Sequence, residues 1–155
     1  MHGHKNLAPE IGHMTLDANG KSCECGKRGC FEAEVGGAAF LKSFNSQTDQ
    51  NAQSVQEIFD RAQKNDSYAI EQTMTWSFFL AVGLGNIINI FNPQKIVIGG
   101  GISKAWPIVE KQVLKNLLPQ AFKPSVQSCE IVQSTLGNDG ALLGAALHAQ
   151  QELQK

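Results

Sequence analysis

The segment from Tyr68 to Asn92 restricts the possible folds of this sequence more than any other. Its second half, Phe78 to Phe91, is apolar nearly all round, which a helix tolerates only when other elements cover most of its circumference. These fourteen residues, interrupted by Gly83, Gly85, Asn86 and Asn89, fall short of a bilayer span, which needs about 20 apolar residues. The segment therefore reads as the central helix of a buried core. Asn92-Pro93 stops it, because a residue before proline disfavours the α region and the ring cannot continue the helix.

The elements around that helix must fit in 155 residues, room for one compact domain or two small lobes. At 42% apolar, a chain of this size buries roughly 68 to 70% of its unfolded surface, enough for a core without disulfide staples. Thirteen Lys and Arg against fourteen Asp and Glu leave a net charge of -1, so a basic face for nucleic acid is not expected. Met1 to Asn6 shows no apolar run behind a basic start, hence no secretory or transit signal. A cytoplasmic location without membrane association is the expectation.

Phe31 to Phe44 has helical spacing weakened by Gly36-Gly37 in its middle. Val55, Ile58, Phe59 and Ala62 mark an amphipathic helix over about Ala52 to Lys64, which should form a hairpin with the central helix. Lys95 to Ile98 is a β-branched run closed by Gly99-Gly100-Gly101, the pattern of a buried strand entering a tight turn. A helix capped by Ser103 follows and ends at Pro119. Val126 to Gln133 is a second strand candidate, and Ala141 to Leu153 a final helix capped by Asp139. Two strands make a thin sheet, so missing strands are expected from residues 1 to 20 or from a partner chain. The order of elements indicates an α/β protein.

Residues 1 to 30 are loop-like and carry most of the reactive side chains. Cys23, Cys25 and Cys30 form C-x-C-x4-C, with Gly26 and Gly29 permitting a tight path, and His13 lies ten residues upstream of Cys23. Three sulfurs and one imidazole make a closed tetrahedral set, the arrangement of a structural zinc site. Free thiols on a glycine-rich loop are the alternative. Cys129 sits in a strand pattern and reads as an inert buried thiol, while His2 and His4 read as bystanders. Glu10 and Glu32 flank the cluster. By spacing alone they are ordinary surface acids, although a metal that folds the loop would draw both into one region.

Glu10-Ile11-Gly12-His13-Met14-Thr15, followed by Cys23-x-Cys25-Gly26-x-x-Gly29-Cys30-x-Glu32, resembles the signature of the ROK family of sugar kinases and sugar-responsive repressors. The resemblance continues through Gly83-x-Gly85-x4-Asn89, Asn92-Pro93, Ile96 to Gly101, and Gly137-x3-Ala141-x-x-Gly144-Ala145-Ala146. It implies the C-terminal lobe of an actin-like ATPase (ribonuclease H-like) fold, without the N-terminal lobe. Residues 1–155 would form one domain, with 1–32 as the zinc and sugar loop and 33–155 as the helices and strands of the lobe.

The resemblance further implies that Glu10, His13 and Glu32 contact a hexose or N-acetylhexosamine. His13, Cys23, Cys25 and Cys30 would hold a structural Zn2+, with His13 offering its other ring nitrogen to the sugar. Gly99, Gly100 and Gly101 would lie against the adenosine of ATP, with Asn138 nearby, and Mg2+ would accompany the nucleotide in the complete two-lobe protein. Pro9 departs from the family pattern, in which many members have glycine. The family's D-x-G-G-T-like phosphate motif, its aspartate general base and its second phosphate loop would all lie upstream of Glu10. Phosphoryl transfer depends on such groups for positioning and charge stabilisation, so this chain, the C-terminal portion of a glucokinase-like hexose kinase, is expected to be inactive alone. The sugar-sensing half of a repressor and a freestanding zinc-stabilised dimeric module are the alternatives; homodimers are common in the family.

Overall fold

The computed structural model describes residues 4–47 and 51–154; the bystander reading of His2 lies outside them. Helices α1 (Phe31–Val35), α2 (Gly37–Ser46), α3 (Val55–Gln63) and α4 (Ser67–Phe91) precede strand β1 (Lys95–Ile98). Helices α5 (Trp106–Leu117) and α6 (Lys123–Ser128), strand β2 (Glu130–Gln133) and helix α7 (Gly140–Leu153) complete the order.

The boundaries of α4 follow local chemistry. Asp66 accepts the Ala69 N–H at 3.1 Å as N-cap. At the other end Asn92 turns left-handed, φ 43°, and its N–H closes on Ile88 O before Pro93. Helix α3 is held by a reciprocal cap, Ser54 accepting the Glu57 N–H while Glu57 accepts the Gln53 N–H. The expected hairpin of α3 and α4 forms.

Trp76, Leu80, Leu84 and Ile88 repeat every fourth residue on α4, as do Val109, Val113 and Leu117 on α5, and all are buried in one cluster. Phe40 and Phe59 approach the Trp76 ring at centroid distances of 5.9 and 5.3 Å. The indole N–H donates to Val35 O at 2.9 Å, tying the end of α1 to the core. By length and composition α4 could cross a membrane, with mean hydropathy 1.5 over its most apolar window. Its buried ridge is instead the core of this fold. The expectation of all-round cover holds only in part, because Phe78, Ile90 and Phe91 lie exposed away from that ridge.

The glycines and Asn89 of α4 serve close approach. A Cβ on Gly83 would stand 2.3 Å from the Phe31 ring, and one on Gly85 2.9 Å from Gln120 Cβ. Asn89 Oδ1 accepts the Phe122 N–H at 2.9 Å, holding the α5–α6 connection against α4.

Several sequence expectations are corrected. Phe31 to Phe44 divides at Gly36, whose ψ of 137° is not helical. The second strand begins only at Glu130, since Pro124 opens α6 over Lys123–Ser128. Ser103 does not cap α5; it is buried in a 3-10 turn, Gly101–Ala105, with its hydroxyl donating to Gly100 O. Asp139 makes no side-chain cap bond to α7. The two strands pair in parallel, Lys95 with Glu130 through Ile98 with Gln133. Among the described residues before Lys21 none forms a third strand; their ladder contact is the isolated bridge Thr15 to Cys30.

Candidate metal centre and adjoining cavities

The cysteine loop has almost no regular structure and is built by close backbone approach. Gly29 N–H donates to Lys21 O and Leu16 N–H to Gly29 O, both at 2.7 Å, and Cys23 N–H donates to Lys27 O at 2.8 Å. Gly29 sits at φ +64°, where a Cβ would come within 1.6 Å of Asp17 O. Only glycine satisfies both conditions. Gly26, at φ +87°, makes the tight reversal between Cys25 and Lys27.

A buried acid fastens this loop to α1. Glu34 is 2% exposed, accepts the Lys21 N–H at 2.7 Å and lies 3.7 Å from the Lys21 ammonium. Its Oε1 would be 2.3 Å from a Cβ on Gly20. The sequence analysis missed this residue. The available signal was an acid set among Ala33, Val35 and the Gly36-Gly37 break, a poor place for a solvated side chain.

The loop brings His13, Cys23, Cys25 and Cys30 together, with their ligand atoms all within 4.8 Å of one another. His13 Nδ1 stands 3.8 Å from Cys23 Sγ, and Cys25 Sγ 3.6 Å from Cys30 Sγ. Zn–S bonds of about 2.3 Å and a Zn–N bond of about 2.0 Å give tetrahedral edges of about 3.5 to 3.8 Å, so the donor set fits that ion in chemistry, and these two separations match its edges. The Cys25 and Cys30 sulfurs are not joined, a disulfide bond being about 2.0 Å, and all four cysteines are free. In the metal-free chain the Cys30 thiol is pushed up to about 11, by burial first and then by the Cys23 and Cys25 sulfurs beside it. Cys25 is held below the usual thiol range by a backbone hydrogen bond from Lys27 and by the Cys23 side chain. Cys129, half-buried beside β2, stands apart from the cluster, and burial raises its thiol.

One cavity adjoins the loop, and a second meets the first at Gly37. The first, about 550 Å³, is lined by His13, Cys23, Glu32, Gly36, Gly37 and Lys42 among others. With Nδ1 turned to Cys23, the remaining nitrogen of His13 is the one free for a ligand. The Glu32 carboxylate lies against Gly12, 3.5 Å from where a Cβ there would be. Glu10 is exposed at the start of the 3-10 turn Ile11–His13 and is not among the lining residues. Of the three predicted sugar contacts, the structure thus gathers His13 and Glu32 on one cavity and leaves Glu10 outside its lining.

The second cavity, about 570 Å³, includes Gly37, Ser54, Val55, Gly99, Gly101 and Lys104 in its lining. Gly100, between the two lining glycines, adopts φ 70° and ψ -161°, a conformation essentially confined to glycine. The turn Gly137–Asp139 packs against Gly101–Ala105, which puts the backbone of Asn138 near this cavity; the Asn138 side chain lies outside what the structure describes. Gly37 lines both cavities, a junction that the sequence analysis did not identify.

Known proteins resemble this chain over nearly its whole length. The xylose repressor of Bacillus spizizenii is 36% identical over 142 residues, covering 92% of this chain and 36% of the repressor. The N-acetylmannosamine kinase of Haemophilus influenzae is 35% identical over 147 residues, covering 93% of this chain and 46% of the kinase. The crystal structure of a ROK hexokinase from Thermus thermophilus superposes with a TM-score of 0.80 at 26% identity, covering all of this chain and 52% of that one. The chain thus spans between about a third and a half of the length of these proteins. Its helices and small parallel sheet form part of an actin-like ATPase fold. The ROK family profile matches residues 1–152, and the chain belongs to the ROK family.

Proposed function

We propose that this chain is the sugar-binding and zinc-binding C-terminal portion of an ATP-dependent hexose kinase, glucokinase-like, that phosphorylates a sugar hydroxyl. One observation carries the reading. His13 has one ring nitrogen turned to the cysteine cluster and lines, with Glu32, a cavity of sugar size. Zinc, when bound by His13, Cys23, Cys25 and Cys30, supplies a cross-link that fixes the imidazole and the loop. Glu32 accepts hydrogen bonds from sugar hydroxyls, His13 adds a polar contact through its remaining nitrogen, and Glu10 joins them once a sugar draws its exposed loop inward. Gly99, Gly100 and Gly101 allow the adenosine of ATP close to the backbone in the second cavity, with Asn138 beside it. The shared residue, Gly37, sets the nucleotide next to the sugar.

Among the described residues, no aspartate lines either cavity. The 155 residues bind and orient but do not transfer phosphate; the general base, the phosphate loops and the Mg2+ site belong to an N-terminal lobe. Hexoses and N-acetylhexosamines are the substrate class, the location is the cytoplasm, and the chain pairs as a homodimer. A second reading, the sugar-sensing domain of a ROK repressor, draws on the 36% identity to a xylose repressor.

Calorimetry with glucose, N-acetylmannosamine and xylose, paired with an ATP-coupled kinase assay, tests these readings. Binding of a hexose or amino sugar that is lost in Glu32→Gln, with no turnover until an N-terminal kinase lobe is added, is the expected result. Binding of xylose alone, with no activity after reconstitution, selects the repressor reading. Absence of any sugar binding by the zinc-loaded chain overturns both.

A further inference from the structure

We propose that Cys25 is an oxidation-sensitive thiol whose disulfide with Cys30 dismantles the metal-ligand cluster. Of the four ligand side chains, Cys25 alone is exposed; Cys30 is fully buried, and His13 and Cys23 are half-buried. A dissolved oxidant therefore meets Cys25 first. The sulfur that can resolve the product is already in place, since Cys30 Sγ lies 3.6 Å from Cys25 Sγ. Closing that gap to the disulfide bond length of about 2.0 Å is a small displacement on this loop. Gly26, next to Cys25, has open space within 4 Å of where a Cβ would stand, so the loop tip has room to shift.

The oxidant class is a hydroperoxide, with hydrogen peroxide as the simplest member. The Cys25 thiolate attacks one peroxide oxygen, giving a sulfenic acid and hydroxide, so sulfur loses two electrons and the O–O bond takes them. Cys30 sulfur then attacks the sulfenic sulfur, forming the S–S bond and expelling hydroxide, which takes up a proton to leave as water. Cys25 and Cys30 no longer offer thiolates, and His13 with Cys23 make an incomplete set from which Zn2+ departs. His13 and Cys23 also line the first cavity. Oxidation at the exposed sulfur therefore loosens a wall of that cavity. Zinc release and loss of sugar affinity rest on the function proposed above; formation of the disulfide depends only on the two sulfurs.

The test treats the zinc-loaded full chain with hydrogen peroxide, follows released Zn2+ with a chromogenic chelator, and maps linked cysteines by mass spectrometry of unreduced peptides. The expected result is a Cys25–Cys30 link appearing in step with zinc release, both reversed by dithiothreitol and added zinc. Cys129→Ser should leave both unchanged, whereas Cys25→Ser, which also removes a metal ligand, is read on the metal-free chain, where oxidation of Cys30 should slow about tenfold or more because the accessible nucleophile is gone. Zinc release with Cys25 unlinked, or a first link through Cys23 or Cys129, overturns the proposal. If the chain holds no zinc, the metal reading fails, and the same mapping on the metal-free chain still decides. A Cys25–Cys30 link upholds the oxidation site, and any other first link, or Cys25 advancing to sulfinic acid without linking, removes it.

Discussion

The cysteine loop and helix α7 occupy opposite ends of the chain and invert the usual relation between regular structure and fixation. The loop from Leu16 to Cys30 has isolated bridges and turns, yet its backbone crosses itself at Gly20 and Gly29 with no space for a β-carbon. A buried carboxylate, Glu34, anchors it. Helix α7 has fourteen residues of continuous hydrogen bonding, and Leu142, Leu143 and Leu147 on it are all exposed. It touches little beyond the Gly137–Asp139 turn that starts it. Hydrogen-bond regularity is a local property of the chain, whereas fixation comes from close approach between segments distant in sequence. The irregular region brings His13, Ser22, Cys23 and Glu24 to a ligand-sized cavity whose other wall comes from α1, Gly36 and α2.

Substituting Gly29 challenges that comparison most severely. Gly29→Ala must relieve a 1.6 Å contact with Asp17 O and adopt a positive φ, so the loop cannot keep its path. We expect a cost of roughly 4 kcal/mol or more, read as loss of zinc binding together with a lower urea midpoint. Unchanged metal stoichiometry in Gly29→Ala would mean that the ligands alone set the geometry. Glu34→Gln comes next. It keeps size but removes the charge facing Lys21 and one acceptor oxygen, which at a buried charged hydrogen bond costs about 1.5 to 3 kcal/mol. Hydrogen exchange should rise at the Lys21 amide before it rises anywhere in α4.

Metal removal refines the contrast further. Metal bound at the four candidate ligands would contribute folding free energy, and those residues belong to the loop and the start of α1. A strong chelator should therefore deprotect amides from Cys23 to Cys30 while leaving the Trp76 to Ile88 core protected. Equal deprotection of α4 would show that loop and core fold as one unit.

The sequence revealed these two regions to different depths, for physical reasons. The convergence of His13, Cys23, Cys25 and Cys30 was legible because metal chemistry restricts residue type and spacing at once. The central helix was legible from its apolar run and from Asn92-Pro93, and it ends one residue before Asn92. The role of Gly83 could not be read, because nothing local to α4 says that the Phe31 ring will rest there. Glu34 was missed for the same reason; burial of an acid depends on a distant backbone N–H, here that of Lys21, and pattern along the chain does not encode it. The strand after Phe122 was placed too early because Val126 favours a strand locally, while Pro124 and the Asn89 to Phe122 bond settle the segment as helix. Cap residues failed similarly: Ser103 found a carbonyl, Gly100 O, in place of a helix N–H.

The smallest effect is expected at α7, and that small size is informative. Leu142 is 73% exposed and Leu147 59% exposed, so Leu142→Glu and Leu147→Glu remove little buried apolar area from this chain. Each should change its unfolding free energy by less than about 0.5 kcal/mol, measured by urea titration at low protein concentration. The same substitutions are silent only while α7 stays uncovered. In the presence of an N-terminal kinase lobe, or at concentrations where the chain pairs, a glutamate placed within a contact would cost about 1 to 3 kcal/mol or more as a charge left without a partner. A large effect in the isolated chain at low concentration would mean that α7 already has a packing partner within this fold, and the contrast with the cysteine loop would vanish. A small effect alone that becomes large on reconstitution would place the uncovered leucines at the contact between the two halves.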